Sequence, residues 1–192
     1  MRNPTEHPIH PLLAERWSPY AFDPRREVDP ADLRSLFEAA RWSMSSHNAQ
    51  PWRYIVGVRA QDPALWQRLF EVLLEGNRQW AGNAPVLVLA SAEHRFEYNG
   101  KPNKAAIYDL GGACAMLTVE AAARGLGVHQ MIGIDPDKTR EVFSLGPDVE
   151  PFTALAIGYP GSPDDVVEPY ATRDRRVRER KPLEELLLEG SV

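Results

Sequence analysis

The stretch from Ala84 to Ala92, which reads APVLVLASA, is the feature that most constrains the fold. It is a continuous run of small and apolar residues without a single charge, and its length is that of a β-strand. A run of this kind has to be removed from water. The sequence therefore predicts a buried strand here.

Other predicted elements lie on both sides of this strand. An Asp-Pro pair is typical of a helix N-cap and first helical residue, and three such pairs predict helices that begin at Asp29, Asp62 and Asp135, the last ending near Gly146-Pro147. Enrichment in β-branched and aromatic residues predicts further strands at 52–59, 128–134 and 152–157. Strands interleaved with at least four helices indicate one mixed α and β domain spanning 1–192.

The longest predicted helix runs from Lys104 to Arg124 and is closed by Gly125 as C-cap. Its glycines and alanines would let another backbone approach closely. The segment from about 162 to 192 is rich in proline and charge, and we expect it to be too polar to pack on a core of its own. It is predicted to wrap around a partner subunit instead.

Composition argues against several classes of protein. The net charge of −5 and the pI near 5.6 argue against a dedicated nucleic-acid binder. Cys114 is the only cysteine, and the five histidines show no i, i+4 pairing, so neither a disulfide nor a metal site is expected. Residues 1–11 hold Pro, His and Glu and there is no apolar run of about 20 residues, so we expect no signal peptide and a cytoplasmic protein with no membrane association.

Three segments carry residues suited to binding. Residues 16–22 place Arg16 beside the Ser18 hydroxyl, which suits a phosphate or a ribityl chain, although an N-terminal surface turn would look the same. Residues 45–52 (SSHNAQPW) offer many neutral donors and acceptors between a helix and a strand. They suit a heterocycle such as the pyrimidine side of a flavin, the alternative being an ordinary polar loop.

The third segment is a basic cluster at residues 173–181, which holds six positive and two negative charges on an otherwise acidic chain. Such a cluster suggests a specific anion such as a phosphate monoester. A solvated charge run and a nucleic-acid tail are the alternatives. The absence of interleaved aromatic residues makes nucleic acid the weakest of the three.

Together these segments resemble the nitroreductase family. Arg16-Trp17-Ser18 is similar to its Arg-x-Ser element, and residues 45–52 resemble its Ser-Ser-x-Asn-x-Gln-Pro-Trp motif. Residues 108–111 before the alanine-rich helix, 125–133 and 178–183 resemble its dimer helix, flavin-side strand and phosphate-binding end. Met44, Tyr20 and Trp80 depart from residues that are common in the family.

The resemblance implies an α+β nitroreductase-like fold: a central antiparallel-rich sheet flanked by helices, in an intertwined homodimer with one FMN at each of two interface clefts. Arg16, Ser18, Arg178 and Arg180 would hold phosphate and ribityl groups. Ser45, Ser46, Asn48 and Gln50 would come from the other subunit, and residues 130–133 would run along the flavin ring. The full set of expected cofactor residues is Arg16, Trp17, Ser18, Tyr20, Ser45, Ser46, Asn48, Gln50, Asn77, Gln130, Met131, Gly133, Arg178 and Arg180.

The function implied is hydride transfer from NAD(P)H through FMN to nitroaromatics, quinones or similar small acceptors by a ping-pong mechanism. The flavin would carry the chemistry, so no catalytic side chain is expected. Three alternatives remain at this point. They are a flavin-cleaving or dehalogenating relative of the same fold, a non-catalytic flavin-binding protein, and an adaptor that binds nucleic acid through its basic tail.

Overall fold

A computed structural model describes residues 3–190, and the buried strand predicted from the sequence lies inside a four-stranded antiparallel sheet. The strand order is β1-β2-β4-β3, so β2 pairs with β1 on one side and β4 on the other. The strands are β1 (Trp52–Val58), β2 (Val86–Glu93), β3 (Gly127–Met131) and β4 (Val149–Gly158). The α+β class and the antiparallel sheet are both confirmed.

Within residues 3–190, seven α-helices surround the sheet, and short turns of 3-10 helix lie at 46–48, 163–165 and 183–185. They are α1 (Pro11–Glu15), α2 (Pro30–Arg41), α3 (Pro63–Glu71), α4 (Glu75–Ala81), α5 (Ala106–Ala123), α6 (Pro136–Phe143) and α7 (Tyr170–Arg175). The three predicted Asp caps are confirmed, since the carboxylates of Asp29, Asp62 and Asp135 each accept a backbone N–H of the first turn.

Strand β2 does not alternate between apolar and polar residues because both of its faces are buried. Its side chains point alternately to two apolar cores, one on each face of the sheet. Val86 and Val88 pack into the core that α2 and α5 cover, whereas Leu87 and Leu89 pack into the core covered by α3, α4 and α7. Both faces are therefore shielded from water by helices.

Several predicted boundaries differ from the structure, most clearly in β3, α6 and β4. Strand β3 ends at Met131 rather than at Ile134 because residues 132–134 turn toward the connection between α3 and α4, where the Gly133 carbonyl accepts the Leu74 N–H at 2.9 Å. Helix α6 ends at Phe143, before the predicted end, because Ser144 adopts a left-handed conformation. Strand β4 extends beyond the predicted range at both ends.

The C-terminal segment also differs from expectation, because part of it packs on the chain's own core. Val166, Tyr170 and Ala171 are buried beside α4, and the Tyr170 hydroxyl donates a hydrogen bond to the Gly76 carbonyl at 2.6 Å. One aromatic residue with a hydroxyl partner thus anchors a segment that composition alone describes as polar. For the residues after Ala171, the predicted wrapping around a partner subunit stays a prediction.

Helix α5 is, among the described residues, the one helix long and apolar enough by length and composition alone to cross a bilayer. A core helix passes the same test. In this structure its inward side, which includes Leu110, Ala113 and Leu117, is buried against the sheet. Its other side, with Tyr108, Gly111, Gly112, Ala115 and Met116, is exposed.

Candidate functional site

A cavity of about 580 Å³ lies between the N-terminal residues 16–20 and the arginine-rich residues 173–180. Six of the expected cofactor residues line it: Arg16, Trp17, Ser18, Tyr20, Arg178 and Arg180. The other residues on its wall are Asn3, His129, Gly161, Pro163, Arg173, Asp174, Arg175, Arg176 and Val177. Two segments separated by the whole length of the domain are therefore joined at one concave surface.

Asp174 joins the two segments. Its two carboxylate oxygens accept hydrogen bonds from the backbone N–H groups of Tyr20 and Ala21, at 3.1 and 3.2 Å. A second link comes from Arg178, whose Nε donates to Asn3 Oδ1 at 2.9 Å and whose Nη2 donates to the Arg16 carbonyl. Sequence reasoning missed Asp174 as a site residue, because a lone acid inside a run of arginines carries no local signal.

The cavity is strongly electropositive. Burial, followed by the nearby positive charges of Arg16 and Arg180, lowers the pKa of Arg178 to about 10. Burial and the charge of Arg180 also lower the pKa of Arg16. Within residues 3–190 none of these three guanidinium groups forms an ion pair. Their crowding is therefore unrelieved by protein carboxylates, which suits an anionic ligand.

The polar loop predicted to meet a flavin lies apart from this cavity. Ser45, Ser46, Asn48 and Gln50 are absent from its wall, and the side chains of Asn48 and Gln50 are exposed. The loop is nonetheless held in a defined shape, since Ser45 Oγ accepts the Gln50 N–H at 3.1 Å. Its orientation is consistent with the expectation that these residues serve a partner's site, which stays a prediction.

Asp109 fixes this loop to helix α5. Its carboxylate is 4% exposed and accepts the Ser46 N–H at 3.0 Å. The backbone of the loop is unusual, because His47, Asn48 and Gln50 all have φ near +50°. Non-glycine residues rarely adopt this region, and where they do the surrounding structure holds them there. Sequence reasoning did not single out Asp109, whose partner lies 63 residues away.

The four remaining expected cofactor residues do not line the cavity. They are Asn77, Gln130, Met131 and Gly133. The Asn77 Nδ2 donates to the Gly133 carbonyl at 2.9 Å, and a Cβ at Gly133 would lie only 2.5 Å from that Nδ2. The Gln130 amide donates to the Cys114 carbonyl and to Thr118 Oγ1, at 3.2 and 3.0 Å. Met131 is buried. Asn77, Gln130 and Met131 thus have structural partners in this chain, and a cofactor role for them stays a prediction.

Comparison with known proteins identifies the fold. The nitroreductase family model matches residues 13–159. The chain belongs to the nitroreductase family. A solved structure described as an oxidoreductase containing FMN superposes with a TM-score of 0.90 at 30% identity, over 98% of this chain and 95% of that one.

Two curated relatives are similar in sequence. An uncharacterized 15.4 kDa protein of Mycolicibacterium smegmatis is 36% identical over 121 residues, which cover 62% of this chain and 78% of that protein. A Streptomyces coelicolor protein named as an NADH dehydrogenase/NAD(P)H nitroreductase is 29% identical over 155 residues, covering 71% and 75%. The predicted family and nitroreductase-like fold are confirmed by these matches.

Tyr20, which departs from the family pattern, lines the cavity beside His129, and a second such residue, Trp80, packs against both from behind. The His129 ring lies between Tyr20 and Trp80, with ring centroids 4.6 and 4.4 Å away, and its Nδ1 is 3.0 Å from the Pro19 carbonyl. Trp80 is buried, so it belongs to the core behind the wall. Met44, the third departure, is exposed on the surface.

The same packing keeps His129 neutral. Burial lowers its pKa below the ordinary value of 6.5, and the Pro19 carbonyl and Asp174 only partly offset that effect. With Nδ1 next to a carbonyl oxygen, the neutral ring carries its proton on Nδ1. Its Nε2 is then an acceptor on the wall of a cavity otherwise dominated by donors.

We predict a pH-dependent loss of stability from His129. Below pH 6.5 the unfolded chain takes up a proton that the folded chain resists, so this contribution to the free energy of unfolding is complete above 6.5 and is lost as the pH falls through the folded pKa. Urea unfolding of wild type and His129→Gln at pH 7.5 and 5.5 measures it. Wild type should lose more stability between the two values than the variant does, while the exposed His7→Gln variant should behave as wild type. Equal losses in wild type and His129→Gln would contradict the prediction.

Proposed function

We propose that this nitroreductase-family chain is an FMN-dependent oxidoreductase that passes hydride from NAD(P)H to small, flat, electron-poor acceptors such as nitroaromatics and quinones. The observation that carries the proposal is the cavity in which Arg16, Arg178 and Arg180 crowd together without ion pairs. The names of the relatives support it, since one contains FMN and another is called an NAD(P)H nitroreductase.

The residues present fit a phosphate monoester. Such a group carries a charge near −2 at neutral pH and has three acceptor oxygens. Guanidinium groups offer fixed forks of donors that match those oxygens, and a bound dianion would relieve the repulsion that lowers the pKa of Arg178. The volume of about 580 Å³ lies within the range of roughly 300–1,000 Å³ typical of cofactor and small-molecule sites.

Each part of the chain would have a binding or positioning role. When bound, FMN would supply the two-electron carrier between NAD(P)H and the acceptor. Arg16, Arg178 and Arg180 would bind its phosphate, and the Ser18 hydroxyl and His129 Nε2 could accept or exchange hydrogen bonds with ribityl hydroxyls. Tyr20 and His129, backed by the buried Trp80, would exclude water from one side of the cavity. No side chain is required as a catalytic acid, base or nucleophile.

A second copy of the chain would complete the site. The exposed face of α5 combines Tyr108, 82% exposed, and Met116 with glycines that permit close packing. The loop containing Asn48 and Gln50 is tied to this helix through Asp109. We therefore propose a homodimer that packs through α5, in which the loop of one subunit contacts the flavin of the other. The proposed location is the cytoplasm.

Removing two arginines should abolish tight FMN binding. A hydrogen bond to a charged group contributes roughly 1.5–3 kcal/mol, so Arg178→Ala with Arg180→Ala should weaken the affinity by about two to four orders of magnitude. Fluorescence titration with FMN measures the Kd, and mass spectrometry of the released chromophore should give FMN and not FAD. The control is Arg25→Ala with Arg34→Ala, which removes the same charge from exposed sites outside the cavity. An unchanged Kd for FMN in the Arg178→Ala, Arg180→Ala variant would mean that these two arginines serve another purpose.

Steady-state kinetics should show a ping-pong pattern. NAD(P)H and the acceptor would use one site in turn, so double-reciprocal plots at several acceptor concentrations should be parallel. The assay is anaerobic oxidation of NADPH or NADH with a nitroaromatic or a quinone. Intersecting lines would contradict the shared site. Tight FMN binding without any NAD(P)H oxidation would indicate a non-catalytic flavin-binding protein.

A bulky residue on the outer face of α5 should disrupt the dimer. A Cβ added at Gly111 meets no atom of the rest of the chain within 4 Å, so we expect Gly111→Leu to fold and to clash across the α5 interface. Sedimentation at micromolar concentration should give a dimer for wild type and monomer for the variant, with loss of FMN. The control Ala64→Leu places the same side chain on the exposed side of α3. A variant that stays dimeric and loaded would place the interface elsewhere.

A further inference from the structure

The cavity has more positive charge than one flavin phosphate requires. Arg173 and Arg176, here called the rim pair, line the large cavity together with Arg16, Arg178 and Arg180. They also line an adjoining space of about 310 Å³, which shares Arg178 and Arg180 with the large cavity. The rim pair is therefore continuous with the phosphate site but is not part of the crowded group that contains Arg16.

The positive and negative side chains around the two adjoining spaces do not sum to zero charge. Within residues 3–190 neither member of the rim pair forms an ion pair, whereas Arg175 between them pairs with Asp164. Two carboxylates are close by: Asp174, whose oxygens accept the amides of Tyr20 and Ala21, and Glu179, which lines the smaller space. Five unpaired guanidinium groups against these two carboxylates leave a net charge of +3. One phosphate monoester of about −2 does not neutralise that excess.

The helix that carries the rim pair is anchored in the core. The Arg173 guanidinium lies over the Tyr170 ring, 5.4 Å from its centroid, and Tyr170 is itself buried and bonded to the Gly76 carbonyl. Arg176 ends the same helix, where its N–H donates to the Arg173 carbonyl at 3.3 Å. Two guanidinium groups presented from one anchored helix end suit a second phosphate group.

The proposed substrates offer one phosphate monoester besides that of FMN. Nitroaromatics and quinones lack phosphate, and NADPH differs from NADH only by a 2′-phosphate. We propose that Arg173 and Arg176 bind the 2′-phosphate of NADPH and make the enzyme selective for NADPH over NADH. This inference rests on the proposed function and assigns a substrate to its site.

The test compares ligands that differ only in the 2′-phosphate. Isothermal titration of the FMN-loaded protein with 2′,5′-ADP and with 5′-AMP should show tighter binding of 2′,5′-ADP. Arg173→Gln with Arg176→Gln should weaken that binding, and kcat/KM for NADPH, by about 10–100-fold, as expected for one to two charged hydrogen bonds at an exposed rim. 5′-AMP binding and kcat/KM for NADH should stay within about twofold, a margin of roughly 0.4 kcal/mol.

Two further variants separate charge from structure. Arg175→Gln removes the neighbouring arginine that Asp164 already neutralises, and it should leave the NADPH to NADH ratio unchanged. Arg173→Lys with Arg176→Lys keeps the positive charge but loses the paired N–H donors of the guanidinium groups. It should give a ratio of kcat/KM for NADPH over NADH between those of wild type and the glutamine variant. Melting temperatures check that all variants fold.

Three results would overturn the inference: wild type that does not prefer 2′,5′-ADP, a rim-pair variant that retains the preference, or equal losses for NADPH and NADH, which would assign the pair to the diphosphate. FMN content is measured independently on every sample. Loss of the 2′-phosphate preference in protein that holds FMN overturns this inference alone. Intact preference in protein that cannot bind FMN overturns the proposed function alone.

Discussion

The carboxylate of Asp174 holds the cavity together. Its two hydrogen bonds to the amides of Tyr20 and Ala21 join residues 154 and 153 positions apart, and thereby bring the arginine-rich end of the chain onto the N-terminal segment. The link has to withstand repulsion, because beyond the effect of burial the charge of Arg180 lowers the pKa of Arg16, and the charges of Arg16 and Arg180 lower the pKa of Arg178. A backbone amide is a suitable partner for Asp174, since the arginines then remain free to bind a ligand.

This arrangement places electrostatic strain where binding is proposed. Like charges in a partly buried cavity destabilise the ligand-free chain, and an anion that enters removes that penalty. Part of the binding free energy would therefore come from removing the repulsion between the arginines of the folded protein, in addition to new hydrogen bonds. The core beneath the cavity is aromatic, since the rings of Tyr20, Trp80 and His129 contact one another and Tyr170 packs against Tyr20. It supplies the rigidity that keeps the arginines together.

Local sequence patterns were sufficient for the elements whose causes are local. The Asp-Pro caps fixed the starts of three helices, and the apolar run fixed the strand that both cores share. Helix α4 was not predicted because it begins after Leu74, which provides no side-chain cap, and contains Gly76. Helix α7 was not predicted because its stability comes from Tyr170, whose hydroxyl partner is 94 residues away. Site residues that act through such distant contacts have no signature in their own segment.

The resemblance to the family and the single-chain geometry together explain why the two polar segments stay apart. Residues 16–20 and 173–180 form one wall rich in charged donors, which suits a phosphate. Residues 45–50 form a second surface rich in neutral amides and hydroxyls, which suits a heterocycle, and they do not line that cavity in the same chain. The loop is nonetheless fixed by buried Asp109 and by three residues at positive φ, an ordering that costs free energy and is unnecessary for an ordinary surface turn. A rigid, exposed set of amides beside the exposed face of α5 is what a chain needs if its own loop serves a neighbouring copy, and this supports a site built from two chains.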